Sequence, residues 1–186
     1  MVPEKISGHL KGSHIRFAVR PHPRAVTAQE LAAAVHVSGH RVAKSVLIEA
    51  DGEPMMAVLP AADVIDVERL ATALGVFAVR LMSEAEFTSL FSDSDTGAEP
   101  PFGSLYGVPV VVDKRLAKPG TMIVRAGSHQ EAIEMRYQDF ARLERPRVED
   151  FAVPATSTSR FVDLDEEETN PGGTISVDTQ GFRAPG

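Results

Sequence analysis

Val42-Ala43-Lys44-Ser45-Val46-Leu47-Ile48, then Asp51-Gly52, then Met55-Met56-Ala57-Val58-Leu59, is the stretch whose reading decides the fold. Both apolar runs have strand composition, and Gly39 bounds the first of them. Asp-Gly between two such runs signals a tight hairpin, because its turn residues must tolerate positive φ. Lys44 is the anomaly within the pattern. An ammonium loses its hydration on leaving water, so lysine is rarely buried without a partner. Its charge either snorkels to the edge of a half-buried strand or points into a cleft that receives an anion.

Upstream, residues 14–19 alternate in character as a short strand, and Pro21-His22-Pro23 enforces an extended loop. Thr27 and Glu30 form a capping box that opens a helix through residues 31–35, ending near Ser38-Gly39. Downstream, Asp66 caps a helix over 67–74 that Gly75 stops. Residues 76–82 read as a strand, and Ser83 with Glu86 caps a short helix reaching Phe91. The stretch 92–107 is rich in Gly, Pro, Ser and Asp and predicts a long structured loop, a kind that is often functional. Residues 108–113 and 121–125 predict strands joined through Lys118-Pro119-Gly120. Ile133, Met135 and Tyr137 alternate as a further strand, with a last short helix over 137–143.

The chain has 186 residues, 43% of them hydrophobic, which is enough for one sizeable core. No apolar stretch approaches the ~18 residues of a membrane span. Residues 1–11 lack the apolar segment of a secretory leader, so a cytoplasmic protein is expected. Zero cysteines remove disulfides, thiolate nucleophiles and Cys-based metal sites together. The net charge of −7 is uneven: residues 149–186 hold eight acids and two bases, which leaves residues 1–148 nearly neutral. Such a body lacks the basic stripe of a general DNA or RNA binder, yet it suits a protein that grips only the end of a nucleic acid. The expected organisation is an N-terminal extension (1–12), a folded domain (13–148) and an acidic, disordered or loosely docked tail (149–186).

Several chemistries find no support. In Gly103-Ser104-Leu105-Tyr106-Gly107 the serine is misplaced for a nucleophile elbow, and neither a P-loop nor a dinucleotide fingerprint occurs. His36 and His40 are four apart, but Gly39 between them should end the helix and no third ligand accompanies them. Ser128 and His129 are adjacent, so in extended backbone they point to opposite faces and cannot couple.

Two glycine-bearing segments carry more. In Gly97-Ala98-Glu99-Pro100-Pro101-Phe102-Gly103 the prolines stiffen the loop, the glycines allow close approach, and Phe102 supplies an apolar wall. The same features would serve a rigid turn that packs Phe102 into the core. Ala126-Gly127-Ser128-His129 follows a strand end, where exposed N–H groups can bind a carbonyl oxygen or an anion. His129 is either a pocket donor or an exposed turn histidine.

Taken in order, the capping-box helix, the Val-Ala-Lys-Ser-Val strand, the Asp-Gly hairpin, the loop 97–103, the strand Val110-Val111-Val112-Asp113 and the turn 126–129 resemble the YbaK/prolyl-tRNA-synthetase-associated editing domain. The resemblance covers approximately residues 13–146. It implies a single mixed α+β (α/β) domain whose curved, partly barrel-like mixed sheet is flanked by helices. It also implies trans-editing, the hydrolysis of the ester joining a wrong amino acid to the 3′ end of a tRNA. On this resemblance Lys44, Gly127 and Ser128 are the catalytic candidates. Lys44 would orient the ester, the amides of Gly127 and Ser128 would polarise its carbonyl, and a free ribose hydroxyl would help position water. His22, Gly97, Pro101, Phe102, Gly103 and His129 are the substrate-binding candidates, with His129 as the selector. An aminoacyl ester is already activated, so neither metal nor other cofactor is expected. The expected partner is the 3′ end of aminoacyl-tRNA, delivered by a synthetase or elongation factor, with no membrane or DNA partner. Alanine, serine and cysteine are plausible misacylated residues. The competing readings are a non-catalytic module sensing an amino acid or tRNA end, and a scaffold recruited through the acidic tail.

Overall fold

The computed structural model describes residues 2–155. In chain order the elements are α1 (Glu4–Gly12), β1 (Phe17–Pro21), α2 (Ala28–Ala34), β2 (Val42–Ala50), β3 (Glu53–Pro60), β4 (Asp63–Ile65), α3 (Val67–Leu74) and β5 (Val79–Leu81). They continue with α4 (Glu84–Phe87), β6 (Val110–Asp113), β7 (Thr121–Arg125), β8 (Glu131–Arg136), α5 (Tyr137–Glu144), β9 (Arg147–Glu149) and β10 (Ala152–Pro154). Eight strands form one mixed sheet in the order β1-β8-β7-β2-β3-β6-β9, with β5 also paired to β2, and β10 pairs with β4 separately. This is the mixed α+β architecture, a central sheet flanked by helices, that the resemblance implies. Among the described residues no helix is long and apolar enough to cross a membrane.

The β2–β3 hairpin forms as its composition dictates. Asp51 and Gly52 both have positive φ, 49° and 91°, and Ala50 pairs with Glu53, a two-residue turn. The Asp51 carboxylate also accepts the Phe77 and Ala78 amides at 3.0 and 2.9 Å, which ties the turn to the approach of β5. Thr27 and Glu30 exchange both hydrogen bonds of a capping box, Asp66 caps α3, and Gly75 ends α3 in the left-handed region.

Side chains of β2 alternate between two cores. Ala43 and Leu47 join a cluster with Phe102, Phe140 and the fully buried Ile6 and Leu10 of α1. Val46, Ile48 and Ala50 pack against Leu70 and Leu74 of α3. Residues 4–12 are therefore a core helix, where the sequence suggested an extension. Its buried pair sits at i, i+4, one face of a helix whose other positions are polar or small.

The C-terminal boundary also moves. Asp113, fully buried, accepts the amides of Phe151 and Ala152 at 2.9 and 2.7 Å, which holds β10 against the body. The chain stays packed through residues 149–153, where the expectation placed the tail. The acidic run 163–168 and Phe161, Val162, Leu164 and Ile175 lie outside the described residues. The strand expected over 76–82 shortens to Val79–Leu81. His36 closes α2 with φ 55° and His40 lies in a 3-10 turn, so the two histidines do not share a helix face.

Candidate active site

β2 is paired with β3 along almost its whole length. Along its other edge it pairs with β7 only at Val42 and Ala43, and with β5 only at Ile48, Glu49 and Ala50. Residues 44–47 border the gap between β7 and β5. The Met82 amide donates to the Leu47 carbonyl at 2.9 Å, so the odd-numbered residues here turn their main-chain groups toward the gap. Strand alternation directs the N–H and C=O of Ser45 the same way.

A cavity of about 310 Å³ opens at this gap. Lys44, Ser45, Val46 and Leu47 line one side. Met82, Ser83, Glu84 and Phe87, from the segment after β5, line another. Gly97 and Glu99 of the long loop, Arg125 at the end of β7, and Val26 and Ala28 at the entrance to α2 complete the wall. The volume lies at the lower end of small-ligand pockets. The Ser45 hydroxyl is buried with no hydrogen-bond partner in the structure, leaving an unused donor and acceptor in the wall.

Arg125 is 5% exposed, and its guanidinium donates to the carbonyls of Ala25 (2.7 Å) and Val26. It thereby fixes the segment that brings Val26 and Ala28 to the cavity. Glu99 is 8% exposed and accepts the Gly97 amide at 2.9 Å, closing the loop on itself at a glycine with φ 80°. Burial pushes the Glu99 carboxyl above its ordinary range, hydrogen bonds from its own amide and from that of Gly97 oppose the rise, Glu84 adds to it and Arg125 offsets part of it.

Of the residues nominated from sequence, Lys44 and Gly97 line the cavity. The others stand elsewhere. Gly127, with φ 82°, lies under α1: an added Cβ would sit 3.1 Å from Pro3 Cγ and 3.2 Å from Ile6 Cδ1. Its carbonyl accepts the Asp95 amide. The Ser128 hydroxyl accepts the Gln130 amide in a local turn. Neither residue lines the cavity.

The His129 ring is held between carbonyls, with Nδ1 3.2 Å from Ala25 O and Nε2 3.0 Å from Thr96 O. It joins the α2 entrance to the long loop from behind the cavity wall. The His22 Nδ1 stands 2.7 Å from Pro23 O, away from the cavity, and its Nε2 is buried without a hydrogen-bond partner. Pro101 is buried, and Phe102 lies fully in the core against Phe140 at 6.5 Å. A Cβ at Gly103 would come within 2.3 Å of the Val108 carbonyl oxygen, so that glycine serves packing. The stiff loop does both jobs at once: residues 101–103 anchor it and 97–99 present it.

Sequence reading passed over Arg125, Glu99 and Ser45. Arg125 carries a signal related to that of Lys44, a cation in an apolar strand, here at the strand's last residue. Glu99 stood unremarked inside a loop read for its glycines and prolines.

A lysine and an arginine beside a buried carboxylate, at a break in a mixed sheet, define a pocket for a small polar group on this fold. A family model described as the aminoacyl-tRNA editing domain matches residues 22–143. The chain belongs to that family. Among solved structures, the hypothetical protein APE2540 is similar at 20% identity and a TM-score of 0.73, over 81% of this chain and 100% of that one. A candidate trans-editing enzyme for prolyl-tRNA synthetase is similar at 20% identity and a TM-score of 0.68, over 80% of this chain and 94% of that one. A candidate signal transduction protein from Marinobacter aquaeolei VT8 gives 22% identity and a TM-score of 0.65, with 82% of this chain matched to 31% of that one. These likenesses establish the fold. No curated protein sequence matches the chain at a significant level.

Proposed function

We propose that this protein is a trans-acting deacylase that hydrolyses the ester between a mismatched amino acid and the 3′-terminal ribose of a tRNA. The observation that carries the reading is the position of Lys44 in a family-matched domain, lining a small cavity where β2 leaves its edge unpaired. Lys44 binds the terminal ribose or phosphate and orients the ester. The Ser45 N–H, directed into the gap, takes the role that sequence reading gave to the amides of Gly127 and Ser128: it donates to the carbonyl oxygen as negative charge develops there.

Water attacks the carbonyl carbon, the bond from that carbon to the ribose oxygen breaks, and a proton passes to the leaving oxygen. The products are a free amino acid and a tRNA with a free 3′ end. The neighbouring ribose hydroxyl orients the water. Selection is steric: Leu47, Met82 and Phe87 bound the apolar part of the cavity. An extra methylene discriminates by only about 1–3 kcal/mol in such a pocket, so small residues such as alanine, serine or cysteine suit it. A synthetase or elongation factor delivers the substrate in this scheme.

The test is a deacylation screen over misacylated tRNAs, run beside Lys44→Ala. The expected result is hydrolysis of at least one small aminoacyl-tRNA by the wild type and its loss in the variant. Binding of the tRNA end without hydrolysis would replace the deacylase by a sensing module.

A further inference from the structure

The cavity carries charges of both signs, and its carboxylates have no part in the proposed ester chemistry. Glu99 is 8% exposed, lines the cavity, and has one oxygen engaged by the Gly97 amide. Glu84 lines the same cavity and its charge acts unfavourably on Glu99. A buried carboxylate is costly to ionise; Arg125, which lines the same cavity, offsets part of that cost, and a substrate cation beside the carboxylate removes more of it. An aminoacyl ester brings such a cation in its α-ammonium group, a few bonds from the carbonyl carbon. Glu99 shares with Lys44 and Ser45 the wall of one cavity of about 310 Å³, so an ester held at Lys44 and Ser45 keeps its ammonium group inside the same small enclosure.

We infer that the Glu99 carboxylate receives the ammonium group of the bound aminoacyl ester and makes this protein selective for esters bearing a free α-amine. The inference rests on the deacylase reading for its substrate but concerns a separate group. Glu99 is a specificity residue that marks the substrate as an unblocked amino acid. Peptidyl or N-blocked esters and hydroxy-acid esters lack that cation and leave the buried carboxylate to the Gly97 amide and the Arg125 charge alone.

Three amide-linked adenosine analogues test it by calorimetry: 3′-deoxy-3′-(alanylamino)adenosine, its N-acetyl counterpart and its lactyl counterpart. The wild type should bind the alanyl analogue about tenfold to a hundredfold more tightly than the other two. Glu99→Gln, which keeps an acceptor for the Gly97 amide, should bring all three within about threefold. Equal wild-type affinity for the three analogues overturns the inference whether or not the variant folds. So does a full preference retained in Glu99→Gln. Deacylation of alanyl-tRNA is measured in parallel. A preference for the amine without hydrolysis upholds Glu99 and removes the deacylase reading; hydrolysis without the preference does the reverse.

Discussion

Lys44 and Arg125 stand one residue beyond the last paired rung between the parallel strands β2 and β7, Ala43 opposite Val124, and both line the cavity. The end of the pairing and the start of the site are therefore the same place. Two cations on neighbouring strands raise the local potential for an anionic group at the mouth of a low-dielectric slot, in a body whose overall charge is nearly neutral. Arg125 is itself committed to the carbonyls of Ala25 and Val26. It contributes field and a fixed wall, and Lys44 is the residue we assign to the substrate.

Lys44→Ala should lower kcat/KM for deacylation by at least about a hundredfold, the scale of losing one charge-stabilising donor. Its thermal midpoint should move by no more than a few degrees, because the side chain is only half-buried. Turnover within a fewfold of wild type would remove Lys44 from the mechanism.

His129→Ala tests a role that the structure reassigns. With its ring between Ala25 O and Thr96 O, the side chain holds two segments together, and its loss should destabilise the fold by about 2 kcal/mol. Urea unfolding measures this. A stable variant with altered preference among aminoacyl-tRNAs would restore the selector role expected from sequence.

Gly103→Ala places a methyl group 2.3 Å from the Val108 carbonyl oxygen and 2.6 Å from Val110 Cγ2. Both neighbours belong to the approach and body of β6, so the chain must shift, at a cost of about 3 kcal/mol. Loss of soluble expression or a clearly lower denaturation midpoint is the expected outcome.

A chain starting at Ser13 loses the burial of Ile6 and Leu10, each worth about 1.5–3 kcal/mol. It also uncovers Gly127 and the core around Phe102. That loss is comparable with the whole stability of a small domain. The shortened chain should unfold at a markedly lower temperature or remain unfolded in circular dichroism.

The acid side of the stability curve should depend on Glu86. The Arg80 guanidinium, with the Ser83 amide and hydroxyl, holds its carboxyl down to about 2 from an ordinary 4.5. A carboxylate lowered on folding stabilises the native state above its unfolded value and loses that contribution as pH falls toward its folded one. Glu86→Gln should therefore be less stable than wild type at neutral pH and should decline less steeply between about pH 4.5 and 2. Thermal midpoints across that range give the comparison.

Sequence made the hairpin and the helix caps legible because each depends on a few adjacent residues. Asp51-Gly52 needed only its two positive φ values, and Thr27 with Glu30 only three residues of spacing. α1 escaped because two buried positions among glycine, histidine and lysine carry little periodic signal; Ile6 and Leu10 become core only once Phe102 and Phe140 arrive from distant segments. The site was half legible for a related reason. Lys44 is conspicuous against its own strand, whereas the turn 127–129 reads as an open binding turn until α1 covers Gly127. Which face of a glycine turn meets solvent is a tertiary fact.

The gap in the sheet has a consequence for how such a protein can diverge. A strand edge at the rim of a sheet invites other chains to pair with it. The unpaired stretch of β2 lies inside the sheet instead, flanked by β7 and β5 and closed at the Leu47 carbonyl by the Met82 amide, so it offers no length to a partner strand. Its donors belong to the main chain. No replacement at position 45 short of proline can delete the N–H there, so on the proposed mechanism the side chains around the slot can change while this donor is inherited with the fold.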